Sequence, residues 1–249
     1  MRVLPVAAAL SMLLSTTAIA QQAPAQATPT SSLPSEKFSE PNMRLPKGSG
    51  GITTSKLIAE APLDTDFVMG KPDAPLVMVE YASMTCPHCA HFGATVLPVL
   101  QKNYIDTGKM KYVLRQFPLN EPALKAAQLL QCIGEQSPEK YYVFVKVLFD
   151  AQPKWAFDTT YMAGLETIAN VGGISKDQFA ACTSSTEREM AVLKKKKESA
   201  DELKIPHTPY IYVGGEVYEG ERTPELVTRF VDKKLAELAA ANAAAKKPE

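Results

Sequence analysis

Residues 81–92 read Y-A-S-M-T-C-P-H-C-A-H-F. Two cysteines, Cys86 and Cys89, stand three positions apart with Pro87 and His88 between them and His91 just after. Upstream lies L-V-M-V-E-Y, a short apolar run of strand formers interrupted by Glu80. Downstream, Phe92, Val96, Val99 and Leu100 recur at spacings of three and four, which predicts a helix to about Asn103 with a kink at Pro98. Gly108 closes a turn, and K-M-K-Y-V-L-R-Q-F reads as a second strand. Strand, helix, strand in this order is a βαβ unit with a parallel strand pair.

Beyond it, Asn120 caps a helical pattern through A-L-K-A-A-Q-L-L-Q-C-I. Further helical patterns cover about 138–150, 158–170, 175–183 and 185–203, punctuated by Gly134, Pro138, Pro153 and Gly172-Gly173. Strand character returns in Y-I-Y-V-G-G-E-V-Y, where Gly214-Gly215 is a hairpin signal. A last helix starts at Thr223-Pro224. The fold class is α/β: a βαβ half (61–120), an inserted helical domain (121–203) and a ββα half (204–240), with a tail at 241–249. Met1-Arg2, an apolar run and Ala18-Ile19-Ala20 read as a secretory signal cut after Ala20. Residues 21–60, rich in Pro, Ser, Thr and Gln, read as a disordered linker.

The chain has 27 basic and 27 acidic residues, so nothing in its charge points to nucleic acid or an anionic membrane surface. Export places the four cysteines (86, 89, 132 and 182) in an oxidising compartment, where three pairings are possible.

At the start of a helix, Cys86 meets free backbone N–H groups and the positive end of the helix dipole, which favour a thiolate. Pro87 fits the first helical position, and His88 adds a donor. A thiolate both attacks and leaves easily, so Cys86 is the candidate nucleophile and Cys89, on the same face, the resolving thiol. Ala90 follows the second cysteine where c-type haem attachment needs histidine. Zinc on Cys86, His88, Cys89 and His91 would strain a tetrahedron, and so short a disulfide ring staples little of the chain. No metal and no cofactor is expected.

The run A-P-L-V-M-V-E-Y-A-S-M-T-C-P-H-C-A-H-F, the helical block and I-P-H-T-P-Y-I-Y-V-G-G together resemble the DsbA family of thiol-disulfide oxidoreductases, and within it the alphaproteobacterial branch. The resemblance covers about residues 62–235. It implies a thioredoxin fold with an inserted helical domain, a periplasmic location and an acidic, oxidising nucleophile. It implies that Thr208-Pro209 is the cis-proline dipeptide that holds extended substrate, and that Glu80 is a buried acid relaying a proton to or from Cys89. His207 precedes that dipeptide and is a candidate modulator. Members of the branch carry a second, structural bridge. Cys132 and Cys182 are left to pair with each other, closing a loop worth roughly 4 kcal/mol in the chain-entropy model.

The expected activity is the introduction of disulfides into reduced, unfolded exported proteins by a monomer that a DsbB-like membrane quinone reductase reoxidises. The alternatives are a reductase or isomerase of the same fold and a copper-delivery protein. The run Lys194–Lys197 is expected to be solvated helix, and Trp155 a core anchor.

Overall fold

The computed structural model describes residues 63 and 65–245. The expected signal segment (1–20) and linker (21–60) lie outside the described residues.

The centre of the molecule is β2 (Leu76–Ala82), the apolar run before the cysteines. It pairs in parallel with β3 (Met110–Gln116), from Leu76 opposite Met110 to Ala82 opposite Gln116. On its other side, β4 (Tyr210–Val213) runs antiparallel, with Glu80 opposite Ile211. A hairpin leads into β5 (Glu216–Val217). Gly214 and Gly215 take left-handed φ values of 57° and 82° in its turn, where a side chain would be strained. The two-residue β1 (Val68–Met69) adds antiparallel to β3, so the sheet order is β1-β3-β2-β4-β5. Two residues are too few to show a period, which is why D-F-V-M-G carries no strand signal.

Successive side chains on a strand face opposite ways. Leu76, Met78 and Ala82 therefore join the larger core with Cys89, Phe92, Leu100 and Val227. Val79 and Tyr81 join Val113, Phe117, Tyr212 and Leu203 in the smaller one. Glu80 shares the parity of Met78 and Ala82, so it points into the larger core. β2 lies between two strands, and Glu80 is only 1% exposed.

The helix after the cysteines is α1 (Pro87–Thr95), followed by α2 (Leu97–Leu100) and a π-helical turn (Gln101–Ile105). The break falls at Val96, just before Pro98, which supplies no N–H to continue the ladder. The helical block is α3 (Glu121–Gln136), α4 (Pro138–Asp150), a 3₁₀ turn (Gln152–Lys154), α5 (Tyr161–Val171), α6 (Lys176–Thr183) and α7 (Thr186–Leu203). Trp155 is buried and donates from Nε1 to Leu148 O at 2.9 Å. The lysine run in α7 is not wholly solvated. Lys195 Nζ donates to Thr65 O at 3.3 Å, and Lys196 lies over the Phe117 ring. Helix α8 (Pro224–Ala245) begins with Thr223 Oγ1 accepting from Leu226 N and runs past the expected boundary at 240.

Among the described residues, no helix is long and apolar enough to cross a membrane.

Candidate active site at a strand-to-helix junction

Cys86 is the N-cap residue of α1, in extended conformation, with Pro87 at the first helical position. Its carbonyl accepts from Cys89 N and Ala90 N, both at 3.1 Å, which starts the helix. Proline costs nothing here because no helical bond is missing, and the other first-turn N–H groups point towards the sulfur end. Pro87, His88 and His91 are exposed, whereas Cys86 and Cys89 are buried.

The loop that carries Cys86 is fastened from the helical block. Gln152, buried in the 3₁₀ turn, donates from Nε2 to Met84 O at 2.8 Å and to Cys86 O at 3.1 Å. Thr85 Oγ1 donates to Asn120 Oδ1 at 3.1 Å, and the same oxygen accepts from Ala123 N at 3.0 Å as the cap of α3.

The Thr208-Pro209 peptide bond is cis, and both residues are buried. As a thiol, Cys86 Sγ donates to Thr208 O at 3.3 Å. Thr208 Oγ1 then has no hydrogen-bond partner among the described residues, and its O–H is free to serve the thiolate. Pro209 O accepts from Arg222 Nη2 at 3.1 Å. His207 is exposed and sets its ring edge-on to Tyr210, with centroids 5.4 Å apart.

The electrostatics of the two cysteines diverge. A hydrogen bond from the Cys89 thiol holds Cys86 down at about 5, helped by the Thr208 side chain and the backbone N–H groups of Cys89 and His88; burial opposes this. Burial pushes the Cys89 thiol well above its ordinary range, and its hydrogen bond to Cys86 and the negative charges of Glu80 and Cys86 push the same way. Glu80 Oε2 accepts from Tyr112 Oη at 2.5 Å, while Oε1 has no partner among the described residues. Burial lifts the Glu80 carboxyl to about 8; the Tyr112 hydrogen bond lowers it, the Cys86 charge raises it and Arg222 lowers it. At neutral pH this is an acid that still holds its proton, beside a thiol that needs help to lose its own.

Cys132 and Cys182 lie apart from these groups in sequence and join α3 to α6 in a disulfide with Cα atoms 5.5 Å apart. Among the described residues, no group of three or more His, Cys, Asp and Glu side chains gathers as a metal site.

Comparison with known proteins agrees with this geometry. The family described as Thioredoxin matches residues 63–233. The solved structure of Wolbachia pipientis alpha-DsbA1 is 30% identical, with a TM-score of 0.70, covering 76% of this chain and 99% of that one. The chain belongs to the DsbA family of thioredoxin-fold proteins. A Rickettsia felis relative, named for protein-disulfide oxidoreductase activity, is 33% identical over 174 residues, covering 70% of this chain. This DsbA-family chain spans 62% of that relative's length. Disulfide bond formation protein D of Bacillus subtilis is 23% identical over 195 residues, covering 78% of this chain and 86% of its own.

Four contributors carried no functional signal in the sequence. Tyr112 sits in β3 like any core tyrosine, and its partner Glu80 is remote in the chain. Gln152 and Arg222 belong to turns without a motif. Asn120 is legible as a helix cap but not as the acceptor for Thr85. Each acts across a contact that only the tertiary fold creates.

Proposed function

We propose that the chain is an exported thiol-disulfide oxidoreductase that introduces disulfides into reduced proteins. The observation that carries this reading is the asymmetry of the pair: Cys86 is held at about 5 while Cys89 is pushed up beside a protonated carboxyl. A stabilised Cys86 thiolate favours the dithiol form and makes the disulfide a stronger oxidant.

In the disulfide form, a substrate thiolate attacks Cys86 Sγ. The Cys86–Cys89 bond breaks, and its electron pair leaves on Cys89. Glu80 gives its proton to Cys89 and is reprotonated from solvent. A second substrate thiolate then attacks the substrate sulfur of the mixed disulfide. Cys86 leaves as a thiolate, and the substrate has lost two electrons to the protein.

Thr208 and Pro209 flank the sulfur and suit the role of holding the substrate chain. Pro87 and His88, exposed beside Cys86, tune its potential, and His207 borders the same rim. The disulfide of α3 and α6 is structural. The chain works as a monomer in the periplasm, and a DsbB-like membrane quinone reductase takes the two electrons back out.

A glutathione redox titration tests this, with the fraction of Cys86–Cys89 disulfide read by mass after thiol alkylation. The expected potential lies at the oxidising end, where DsbA itself stands at about −120 mV, rather than at the reducing end, where thioredoxin stands at about −270 mV. A value at the reducing end would overturn the oxidase reading in favour of a reductase.

A further inference from the structure

Arg222 belongs to the turn between β5 and α8, far in sequence from the cysteines. Its Nη2 donates to Pro209 O at 3.1 Å, in the loop whose Thr208 O accepts from Cys86 Sγ. Its Nε is buried with no hydrogen-bond partner among the described residues, as is Glu80 Oε1. Tyr112 from β3 donates to Glu80 Oε2, and four other groups act on the carboxyl electrostatically: Tyr142 from α4, Cys86 and Cys89 at the start of α1, and Arg222. Of these, Arg222 is the permanent cation.

We infer that Arg222 is a positioning residue of the redox site, one guanidinium that fixes the Thr208–Pro209 loop and whose positive charge is felt at Glu80. The charge role rests on the proton relay proposed above; the loop role does not. A guanidinium suits both tasks because it stays charged at any working pH and donates in several fixed directions. Its charge lowers the pKa of the Glu80 carboxyl against the rise caused by burial. Glu80 can then act as a base near neutral pH as well as an acid.

Ring closure of the reduced protein isolates this base. With glutathione disulfide as oxidant, the Cys86 thiolate attacks one sulfur and releases a glutathione thiolate. Glu80 carboxylate then takes the Cys89 proton. Cys89 attacks Cys86 Sγ, and the second glutathione thiolate leaves. The protein loses two electrons and glutathione disulfide gains them.

The test follows the rate of this second step against pH in the wild type, Arg222→Gln and Arg222→Lys, together with KM for a dithiol peptide. The wild-type rate is expected to rise through a midpoint at or below about 8. R222Q removes the charge, so its midpoint moves to higher pH. R222Q also weakens the hold on Pro209 O, so KM rises about fivefold, the equivalent of one net hydrogen bond. R222K keeps a cation and keeps the midpoint near the wild-type value. A wild-type midpoint and KM in R222Q would overturn the inference, and so would a midpoint in R222K displaced as far as that of R222Q. Merely structural damage would lower the melting temperature without moving the midpoint with charge. Failure of the wild type to oxidise the peptide would instead count against the oxidase reading, because ring closure with glutathione is measured independently of it.

Discussion

Cys86 and Cys89 are one residue type three positions apart, yet their surroundings drive them in opposite directions. The split follows from depth. Cys86 reaches the N–H groups of the first helical turn and the cis-proline loop, while Cys89 points into the core against a carboxyl. Glu80 is the costly member of the set, because an ionised carboxylate has little to offset its burial. A group raised from 4.5 to about 8 binds its proton more tightly in the folded state. Its contribution to stability is fully present below pH 4.5 and is lost as pH rises through about 8. Glu80→Gln removes that loss and still accepts from Tyr112. In urea unfolding of the reduced protein, E80Q should match the wild type below pH 4.5 and gain progressively up to about 8. Above that the gain should stay constant. A pH-independent difference would mean that Glu80 titrates alike in both states. At this scale the sequence was informative where chemistry is local: a cysteine pair beside a helix start is legible, and so is a carboxylate stranded in an apolar strand. Tyr112 and Arg222 were not, because their effect on Glu80 exists only after β3 and the turn before α8 are brought to it.

At the scale of elements, the junction between β2 and α1 is shaped from outside as much as from within. Asn120 holds α3 by its cap and Thr85 by a second hydrogen bond, so one side chain joins the inserted block to the cysteine loop. Asn120→Ala should cost about 1 kcal/mol for the cap and about 1 kcal/mol for the Thr85 bond. Asn120→Asp keeps the acceptor and should recover most of it. Urea midpoints at constant m-value measure both; an N120A loss within about 0.5 kcal/mol, the range of an inert surface change, would mean that water replaces the amide at both partners. Elements with a clear period or a cap, such as β2, α1 and α3, could be read from the chain. The short β1 could not, since it exists only by pairing with β3. The break in the long helix was legible at Pro98, but the π-helical turn after it was not.

Across the whole molecule, the helical block is sewn onto the sheet by buried polar contacts. Tyr142 Oη, from α4, donates to Phe67 O at 2.8 Å and accepts from Leu114 N at 3.0 Å, tying both β1's approach and β3. Gln152 does the same for the cysteine loop. The order of strands and helices announced an insertion, but not these seams, because tyrosine and glutamine carry no mark of their eventual partners. The block itself closes through Cys132 and Cys182, both 2% exposed, whose bridge ties the C-terminal half of α3 to α6 across 50 residues. Between them, α4, α5 and the turn holding Gln152 form the enclosed loop. A cross-link of that span removes conformations mainly from the unfolded chain, worth roughly 4 kcal/mol, and the two alanines of Cys132→Ala/Cys182→Ala would also lose sulfur contacts in a packed interior. The double variant should therefore unfold at much lower urea, with a larger m-value because its unfolded state is free to expand. The comparison is made without reductant and with Cys86→Ser and Cys89→Ser in both proteins, so that the two bridges are not confused and no free thiol exchanges with the one under test. An unfolding free energy in water within about 1 kcal/mol of the wild type would show that the unfolded chain keeps α3 and α6 together without the bond.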